Sequence, residues 1–226
     1  IYTTRPTPKS WDLIASLLTK DIQIQYVPRD SLHKLAGTTD HQSVVAWATP
    51  FVKRKKFFEP SKNPFLVLLD GIQDPRNLGA IIRSASCTGA TGMILCGKNS
   101  APLNATAFKS SAGLAEYMEI YEAPTAVAAA QELKKAGYSL YLATLKGADA
   151  MTLTYKEPLC LVIGNEAVGI SRNVLPFGEE ISIPQRSKDI SYNASVAAGI
   201  LLFIISYGSG RIKPIPLASK QPPKIK

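Results

Sequence analysis

The sequence predicts an α/β fold, a mostly parallel sheet with helices on both faces, preceded by part of a smaller α/β unit. From Phe65 onward, short apolar runs typical of buried strands alternate with helical patterns through short links. Such alternation is typical of parallel strands joined by helical crossovers. The chain has 226 residues, 46% of them hydrophobic, which is enough for a proper core.

The elements of the sheet domain follow one another regularly along the chain. Asn77 and Asn104 are suitable N-caps, so a helix is expected after each of them. A further helix is predicted over residues 125–136. The predicted strands are the apolar runs at residues 65–69, 93–96, 118–121, 140–143 and 159–163.

The C-terminal part of the domain contains a short strand, a polar loop and an apolar helix in succession. Pro184 cannot continue a sheet ladder and ends the strand. Ser191 or Asn193 is a natural N-cap for the helix that begins near Ala194. This order exposes several backbone N–H groups at one point, where α/β proteins usually hold a ligand. The alternative is an ordinary cap on a buried helix.

Four segments are predicted along the chain. Residues 1–50 are too few to bury a core alone, so we interpret them as part of a small α/β unit and expect an earlier portion to precede them. Residues 51–63, with a basic run beside Phe57 and Phe58, are predicted to be a linker. The sheet domain covers residues 64–208. The Pro- and Lys-rich residues 209–226 are predicted to be a disordered tail that touches RNA.

Charge and cysteine usage narrow the class of protein. The net charge of +9 favours an anionic partner, and nucleic acid is favoured over a membrane because no apolar anchor is visible. The three cysteines are odd in number and widely spaced, and only two histidines occur, so no metal site is expected. A reducing compartment follows, and we expect a cytoplasmic protein, with an organelle as the alternative.

Three polar loops follow predicted strands and carry residues unusual in plain connectors. Loop 1 is residues 70–79 and loop 2 is residues 164–169. Loop 3 lies in the stretch 181–203, where the polar residues 185–189 are followed by Ser191 to Asn193. Loop 2 has neither G-x-G-x-x-G nor G-K-[ST], and Glu166 would repel a phosphate, so a dinucleotide or ATP site is disfavoured. Arg83 lies off the apolar face of the helix after loop 1. Taken singly, Asn77 is read as a cap and Arg83 as a surface charge.

Taken together, the three loops resemble one family. DGIQDPRNLGAIIRSA, LVIGNEAVGIS and ISIPQRSKDISYNASVAAGI resemble motifs 1, 2 and 3 of the SpoU (TrmH) branch of the SPOUT methyltransferases, in the same order and spacing. KSSAGLAEYMEI adds to the similarity, which spans about residues 65–207. The N-terminal VPRDSLHKLAGTTDHQSVVA resembles the ribosomal-protein-like RNA-binding domain of the rRNA members, most of all the large-subunit rRNA guanosine 2′-O-methyltransferases.

The resemblance implies a fold, a reaction and a set of functional residues. It implies a C-terminal deep trefoil knot, a homodimer, no metal, and methyl transfer from S-adenosylmethionine to a ribose 2′-hydroxyl of RNA, most of all of an rRNA guanosine. Loop 3, with its apolar helix, would then close the knot. The implied cofactor contacts are Thr144, Leu145, Gly164, Ile183 and Tyr192, and the implied catalytic and RNA-positioning residues are Asn77, Arg83, Glu166, Ser191 and Asn193.

Arg83 is the implied catalytic group, and its chemistry limits its role. An arginine is a poor base because its pKa exceeds about 12. We therefore expect Arg83 to hold an RNA phosphate and to stabilise the developing alkoxide. The proton acceptor is left open between that phosphate and Arg83 itself. Two departures from the family pattern bear on the cofactor pocket: Tyr192 stands where leucine is usual, and Ala167-Val168 replaces a glycine-containing pair.

Two alternatives remain at this point. A methyltransferase of the same fold acts on tRNA or on another rRNA site, and the resemblance of residues 1–50 favours rRNA only by analogy. A catalytically idle RNA-binding or ribosome-assembly factor would keep the fold without the reaction. Retention of Asn77, Arg83, Glu166 and Asn193 argues against this second reading.

Overall fold

The computed structural model describes residues 1–97, 100–186 and 190–213 and divides the chain into two compact units, Ile1–Phe51 and the residues from Val52 onward. Most of the predicted tail, residues 214–226, lies outside the described residues. No helix in the described part of the chain is both long and apolar enough to cross a membrane.

The first unit is a small three-stranded sheet with two helices. Its strand order is β2-β1-β3, with β1 parallel to β2 and antiparallel to β3. Leu32 is fully buried and Trp11 nearly so. Each of its strands is two residues long. The elements are β1 (Tyr2–Thr3), α1 (Trp11–Leu17), β2 (Gln25–Tyr26), α2 (Arg29–Ala36) and β3 (Val44–Val45).

The second unit is a six-stranded sheet in the order β6-β5-β4-β8-β7-β9, and every neighbouring pair is parallel. The predicted α/β fold with a mostly parallel sheet is therefore confirmed. The elements are β4 (Phe65–Asp70), α3 (Pro75–Cys87), β5 (Gly92–Cys96), α4 (Ala105–Ser110), β6 (Ile120–Ala123), α5 (Ala126–Lys135), β7 (Ser139–Asp149), β8 (Leu159–Gly164), β9 (Glu179–Ser182) and α6 (Ala194–Gly208).

Helices cover both faces of this sheet. Alternate strand residues, among them Leu66, Leu68 and Val162, form one core cluster with α5. Their neighbours along each strand point to the opposite face, because successive side chains of a strand alternate. On that face α6 packs against β8 and α3. The trefoil knot implied by the family resemblance stays a prediction.

The segment predicted to be a linker differs from that prediction. Residues from Val52 onward belong to the second unit, and Phe58 is 97% buried in its core. The backbone N–H of Arg54 donates to the carbonyl of Ile120 at 2.7 Å, and its guanidinium lies 4.4 Å from the Phe58 ring centre. Composition did not predict this packing, because four consecutive basic residues beside the two phenylalanines are typical of a solvent-exposed segment. The aromatic residues anchor the segment instead.

The helix after loop 1 begins earlier than predicted. Asp74, not Asn77, is its N-cap, and the Asp74 carboxylate accepts from the backbone N–H of Arg76 at 2.8 Å. Pro75 occupies the first turn, where its missing N–H costs nothing. The prediction that Asn77 caps this helix is wrong. The Asn77 side chain is therefore available to bond another partner.

Candidate active site

The three loops meet at the carboxyl edge of the sheet. Strands β4 and β8 run parallel in register, so Asp70 lies opposite Gly164 where loops 1 and 2 begin. Strand β7 lies beside β8, and β9, which leads into loop 3, lies beside β7. The carboxyl ends of parallel strands are where open α/β sheets bind ligands.

A cavity of about 440 Å³ opens at this edge. Its volume lies in the range of small-molecule sites. Glu166 and Ser191, two of the predicted catalytic residues, contribute to its lining. The apolar wall comes mainly from Ile163, Ile181 and Leu201. All five predicted cofactor contacts also line it: Thr144, Leu145, Gly164, Ile183 and Tyr192.

A break in the β7 ladder brings Thr144 and its neighbours to the cavity. Strand β7 pairs with β9 up to Ala143, and the pairing resumes at Ala148 with the same partner residue, Ile181. The residues between them bulge out of the ladder, and three of them, Thr144, Leu145 and Lys146, line the cavity. The Thr144 hydroxyl is buried there and has no hydrogen-bond partner in the part of the chain that the structure describes. Since unpaired buried hydroxyls are costly, this oxygen suits a polar group of a ligand.

Gly164 leaves no room for a side chain. A Cβ at this position would lie 2.3 Å from the backbone carbon of Gly169 and the backbone nitrogen of Ile170. Loop 2 therefore folds back directly over the end of β8. An antiparallel bridge between Asn165 and Gly169 closes this turn.

Asn77 and Glu166 join loops 1 and 2. The Asn77 side-chain amide donates to a Glu166 carboxylate oxygen at 2.8 Å. Asn77 is half-buried in the first turn of α3, whereas Glu166 is exposed at the cavity. The structure thus connects one predicted catalytic residue outside the cavity lining to another within it.

Asn193 and Ser191 lie at the start of α6. Asn193 is the N-cap, and its Oδ1 accepts from the backbone N–H of Ser195 at 2.9 Å and from its hydroxyl at 2.6 Å. The predicted choice between Ser191 and Asn193 as the cap is therefore decided for Asn193. Asn193 does not line the cavity, although its neighbours Tyr192 and Ala194 do. Tyr192 is 44% exposed, so its ring is only partly enclosed at the rim.

Arg83 lies on the exposed side of α3, away from the apolar face, as its position in the helical pattern predicts. It does not contribute to the cavity lining. The adjacent residue Ser84 faces α6, where a Cβ on Gly199 would lie 3.4 Å from the Ser84 hydroxyl. The Arg83 side chain is therefore exposed on α3, outside the cavity lining.

The chemistry available at this edge involves neither a thiolate nor a metal cluster of described residues. Burial and, to a smaller extent, the Asp70 carboxylate raise the pKa of the Cys96 thiol to about 12. Among residues 1–97, 100–186 and 190–213, no three His, Cys, Asp or Glu side chains are grouped to hold a metal ion. Amide, hydroxyl and carboxylate groups and the Lys146 ammonium line the cavity, and the Arg83 guanidinium lies outside its lining.

Sequence reasoning did not assign four polar residues of the cavity lining to the site: Lys146, Asn165, Glu180 and Gln185. Lys146 and Glu180 line the cavity with opposite charges, but exposed charges near strand ends are too common to single them out. Asn165 lines it too and holds loop 2 together. An Asn directly after a buried strand is a typical turn residue, and that signal was available in the sequence.

Comparison with known proteins identifies the family. Residues 64–203 match the model of the SpoU rRNA Methylase family, and residues 1–52 match that of the RNA 2′-O ribose methyltransferase substrate-binding family. The chain belongs to the SpoU rRNA methylase family. Both matches agree with the division of the chain into two compact units.

Relatives of this SpoU-family chain carry several names. A Bacillus subtilis protein named as a TrmH-family tRNA/rRNA methyltransferase, YacO, is 33% identical over 80% of this chain and 76% of its own. A Photobacterium profundum protein named 23S rRNA (guanosine-2′-O-)-methyltransferase RlmB is 32% identical over 84% of this chain and 81% of its own. An uncharacterized tRNA/rRNA methyltransferase of Mycolicibacterium paratuberculosis is 35% identical, and the match spans only 62% of its length.

Solved structures share the fold of this SpoU-family chain. An AdoMet-bound rRNA methyltransferase from Sinorhizobium meliloti superposes with a TM-score of 0.72 at 24% identity, over 91% of this chain and 79% of the other. The SpoU methyltransferase AviRb from Streptomyces viridochromogenes also gives 0.72, at 22% identity, over 92% and 82%. At these identities the likeness establishes the architecture alone.

Proposed function

We propose that this protein transfers a methyl group from S-adenosylmethionine to the 2′-hydroxyl of a guanosine ribose in large-subunit rRNA. The observation that carries the proposal is the meeting of the predicted cofactor contacts around one cavity, which the Asn77–Glu166 hydrogen bond connects to α3. Binding and positioning are the main tasks for the protein in such a reaction, because the sulfonium methyl of the cofactor is already activated.

The residues of the cavity suit S-adenosylmethionine. Apolar side chains such as Ile163 and Ile181 can flank an adenine ring, and the unpaired hydroxyl of Thr144 can bond a polar edge. Lys146 and Glu180 add one charge of each sign at the lining, which matches the carboxylate and ammonium groups of an amino acid.

Arg83 is our proposed contact to the RNA at the reacting ribose. A guanidinium stays charged and binds phosphate through two parallel N–H donors. We propose that Arg83 holds a phosphate beside the target ribose and stabilises the negative charge that develops on the 2′-oxygen. In this account Asn77 and Glu166 fix the helix that carries Arg83 relative to loop 2, and Ser191 and Asn193 orient the ribose.

The choice of rRNA guanosine rests on two comparisons. The name of the Photobacterium profundum relative specifies 23S rRNA and guanosine 2′-O-methylation, and the family matched by the first unit is defined by substrate binding. The name of the Bacillus subtilis relative spans tRNA and rRNA, so tRNA is the competing substrate.

The proposal is tested with purified protein, radiolabelled S-adenosylmethionine and separate rRNA and tRNA transcripts. Labelled 2′-O-methylguanosine should appear in nucleosides digested from rRNA. Label in tRNA alone, or in another nucleoside, would replace the proposed substrate. Cofactor binding without transfer to any RNA would favour the idle RNA-binding factor.

The proposed role of Arg83 is tested in the same assay. Arg83→Ala should lower kcat by about 100-fold or more, the usual effect of losing a group that stabilises transition-state charge. Lys135→Ala removes an exposed cation at the end of α5 and should leave kcat unchanged. Equal kcat for the Arg83→Ala variant and the wild type would reject this role.

We further propose that the protein acts as a homodimer that uses one side of α6. Val196, Phe203 and Tyr207 are each about half exposed and share a helix face, since they are seven and four residues apart. The Phe203 and Tyr207 rings stack with centres 5.7 Å apart. A continuous apolar stripe of this kind fits a self-complementary contact between two copies.

A further inference from the structure

Two side-chain hydrogen bonds join loops 1 and 2, and a third joins loop 1 to Ser171, just beyond loop 2. The Asn165 amide donates to the Gly71 carbonyl at 2.7 Å, the Asn77 amide donates to Glu166 at 2.8 Å, and the Ser171 backbone N–H donates to Asp70 at 2.7 Å. Loop 2 lines the cavity, whereas loop 1 leads into the helix that carries Asn77 and Arg83. These bonds therefore join the proposed cofactor side of the site to the proposed RNA side.

Asn165 differs from the other side chains in these bonds because it also accepts hydrogen bonds within loop 2. Its Oδ1 accepts from the backbone N–H groups of Ala167 at 2.9 Å and Val168 at 3.2 Å. The Asn165 oxygen faces two N–H donors, and its nitrogen faces the Gly71 carbonyl. The side-chain amide therefore fits in one orientation only, because exchanging its oxygen and nitrogen would lose all three bonds. One side chain thereby closes the turn of loop 2 and holds loop 1.

The Gly71 carbonyl is a sensitive point for such a tie. Gly71 has φ of +80°, a left-handed conformation that turns the chain sharply between β4 and α3. A bond to this carbonyl therefore fixes the direction in which loop 1 leaves the strand. A small change in the direction of loop 1 at Gly71 would displace α3 as well. A misplacement of about 1 Å at a reacting group can lower the rate about 100-fold.

We propose that Asn165 is a positioning residue that sets the catalytic helix α3 against the cofactor loop through the Gly71 carbonyl. This inference rests on the proposed function and adds a residue that the family resemblance did not assign. Two functions of one amide are separable in this arrangement: Oδ1 supports the cofactor loop, and Nδ2 positions loop 1. Loss of Nδ2 should therefore lower the rate and leave cofactor binding nearly intact.

Two substitutions remove the Nδ2 donor and keep an acceptor for the turn. Asn165→Asp is isosteric and places an oxygen opposite the Gly71 carbonyl. Asn165→Ser keeps a short hydroxyl acceptor, cannot reach across to Gly71, and carries no charge. Agreement between the two variants separates the lost bond from the added charge. Asn104→Asp is the matched control, because Asn104 caps α4 through its Oδ1, and aspartate also supplies an acceptor oxygen that suits an N-cap.

Three quantities are measured on the full chain: amide hydrogen exchange of the peptide covering residues 71–77, the Kd for S-adenosylhomocysteine by calorimetry, and kcat on RNA. In both Asn165 variants we expect at least about fivefold faster exchange in residues 71–77, a Kd within about threefold of wild type, and a kcat lowered by about 10- to 100-fold. Asn165→Ala should in addition weaken cofactor binding by about tenfold, since the turn of loop 2 is lost. Asn104→Asp should match the wild type in all three quantities.

Several results would overturn the inference. Unchanged exchange at residues 71–77 means that the bond does not hold loop 1, whatever the activity. Faster exchange with unchanged kcat means that the held position does not matter for catalysis. An effect confined to Asn165→Asp assigns the loss to charge. Wild-type protein that binds cofactor but methylates no RNA rejects the proposed function and the catalytic part of the inference, while the exchange result still decides whether Asn165 positions loop 1.

Discussion

The Asn77 side chain donates a hydrogen bond of 2.8 Å to Glu166, which lies 89 residues later in the chain. Asn77 is placed by the first turn of α3, and Glu166 by the turn that follows β8. The bond therefore spans the edge of the sheet at which the two parallel strands end. Asn77 is therefore not the helix cap that the sequence suggested, but a link between two loops of the site.

A double-mutant cycle should detect this link. Asn77→Ala and Glu166→Ala should each lower the free energy of unfolding, and the double variant should lose less than the sum by about 0.5–1 kcal/mol, because the shared bond is lost only once. The modest value reflects the exposure of Glu166. Urea denaturation of the four proteins followed by circular dichroism measures the coupling. Strict additivity of the two changes would contradict the link.

Gly79 should be intolerant of a side chain because α3 and α4 touch there. A Cβ at Gly79 would lie 2.3 Å from the Ala107 carbonyl oxygen and 2.5 Å from the Ser110 Cβ. We expect Gly79→Ala to destabilise the second unit by about 1–3 kcal/mol, the usual cost of overpacking, despite the better helix propensity of alanine.

Gly208→Ala is the control for this prediction. Gly208 is the last residue of α6, and its added Cβ would meet nothing within 4 Å. This substitution should be neutral or slightly stabilising in the same urea experiment. Equal effects of the two substitutions would show that the close approach of α3 and α4 does not limit stability.

The first unit should lose stability in mild acid because of His41. Burial lowers the pKa of His41, and the nearby His33 and Arg29 lower it further, against smaller opposing effects of a backbone hydrogen bond at His41 and of Asp40. Its Nδ1 also accepts from the Ser43 backbone N–H at 2.9 Å, which protonation there would remove. The unfolded chain binds this proton near pH 6.5. Stability present above about pH 6.5 is therefore lost as the pH falls through 6.5 toward the folded pKa.

Tryptophan fluorescence isolates this effect, because both tryptophans, Trp11 and Trp47, lie in the first unit. The urea concentration at the midpoint of the fluorescence transition should be lower at pH 5.5 than at pH 7.5. His41→Asn keeps an acceptor for the Ser43 N–H and cannot titrate, so its midpoint should depend less on pH. An unchanged pH dependence in this variant would assign the effect to other groups.

The exposed apolar face of α6 that contains Val196, Phe203 and Tyr207 should control self-association. Phe203→Glu introduces a charge into the proposed contact and should shift the protein toward a monomer in light scattering after size exclusion. Tyr117→Glu adds the same charge at a residue that is 86% exposed in a different element, and it should leave the mass unchanged. A wild-type monomer at tens of micromolar would reject the proposed dimer.

Local sequence patterns predicted the sheet but not its finer connections. Uniformly apolar runs such as the one that became β8 mark strands that are buried on both faces, so the strand positions were readable. Strand β7 instead continues to Asp149, past the apolar run that ends at Ala143, because it pairs again with β9 after the bulge. A pattern of hydrophobicity carries no information on pairing with a strand 30 or more residues away.

The candidate site shows the same limit. The loops could be found from their polar residues after strand ends, and Arg83 from its position off the apolar helix face. The bonds of Asn77 to Glu166 and of Asn165 to Gly71 join residues about 90 apart, and only the parallel pairing of β4 with β8 brings them together. Likewise, Phe58 was hidden within a basic segment because its burial depends on the face of the sheet that it meets.

The central claim is tested most directly by mapping ribose 2′-O-methylation across total RNA from cells that lack the gene and from cells complemented with wild type or Arg83→Ala. The account predicts that one large-subunit rRNA guanosine loses its methyl group without the gene, regains it with the wild type and stays unmodified with Arg83→Ala. An identical methylation map with and without the gene, or full restoration by Arg83→Ala, would contradict the account.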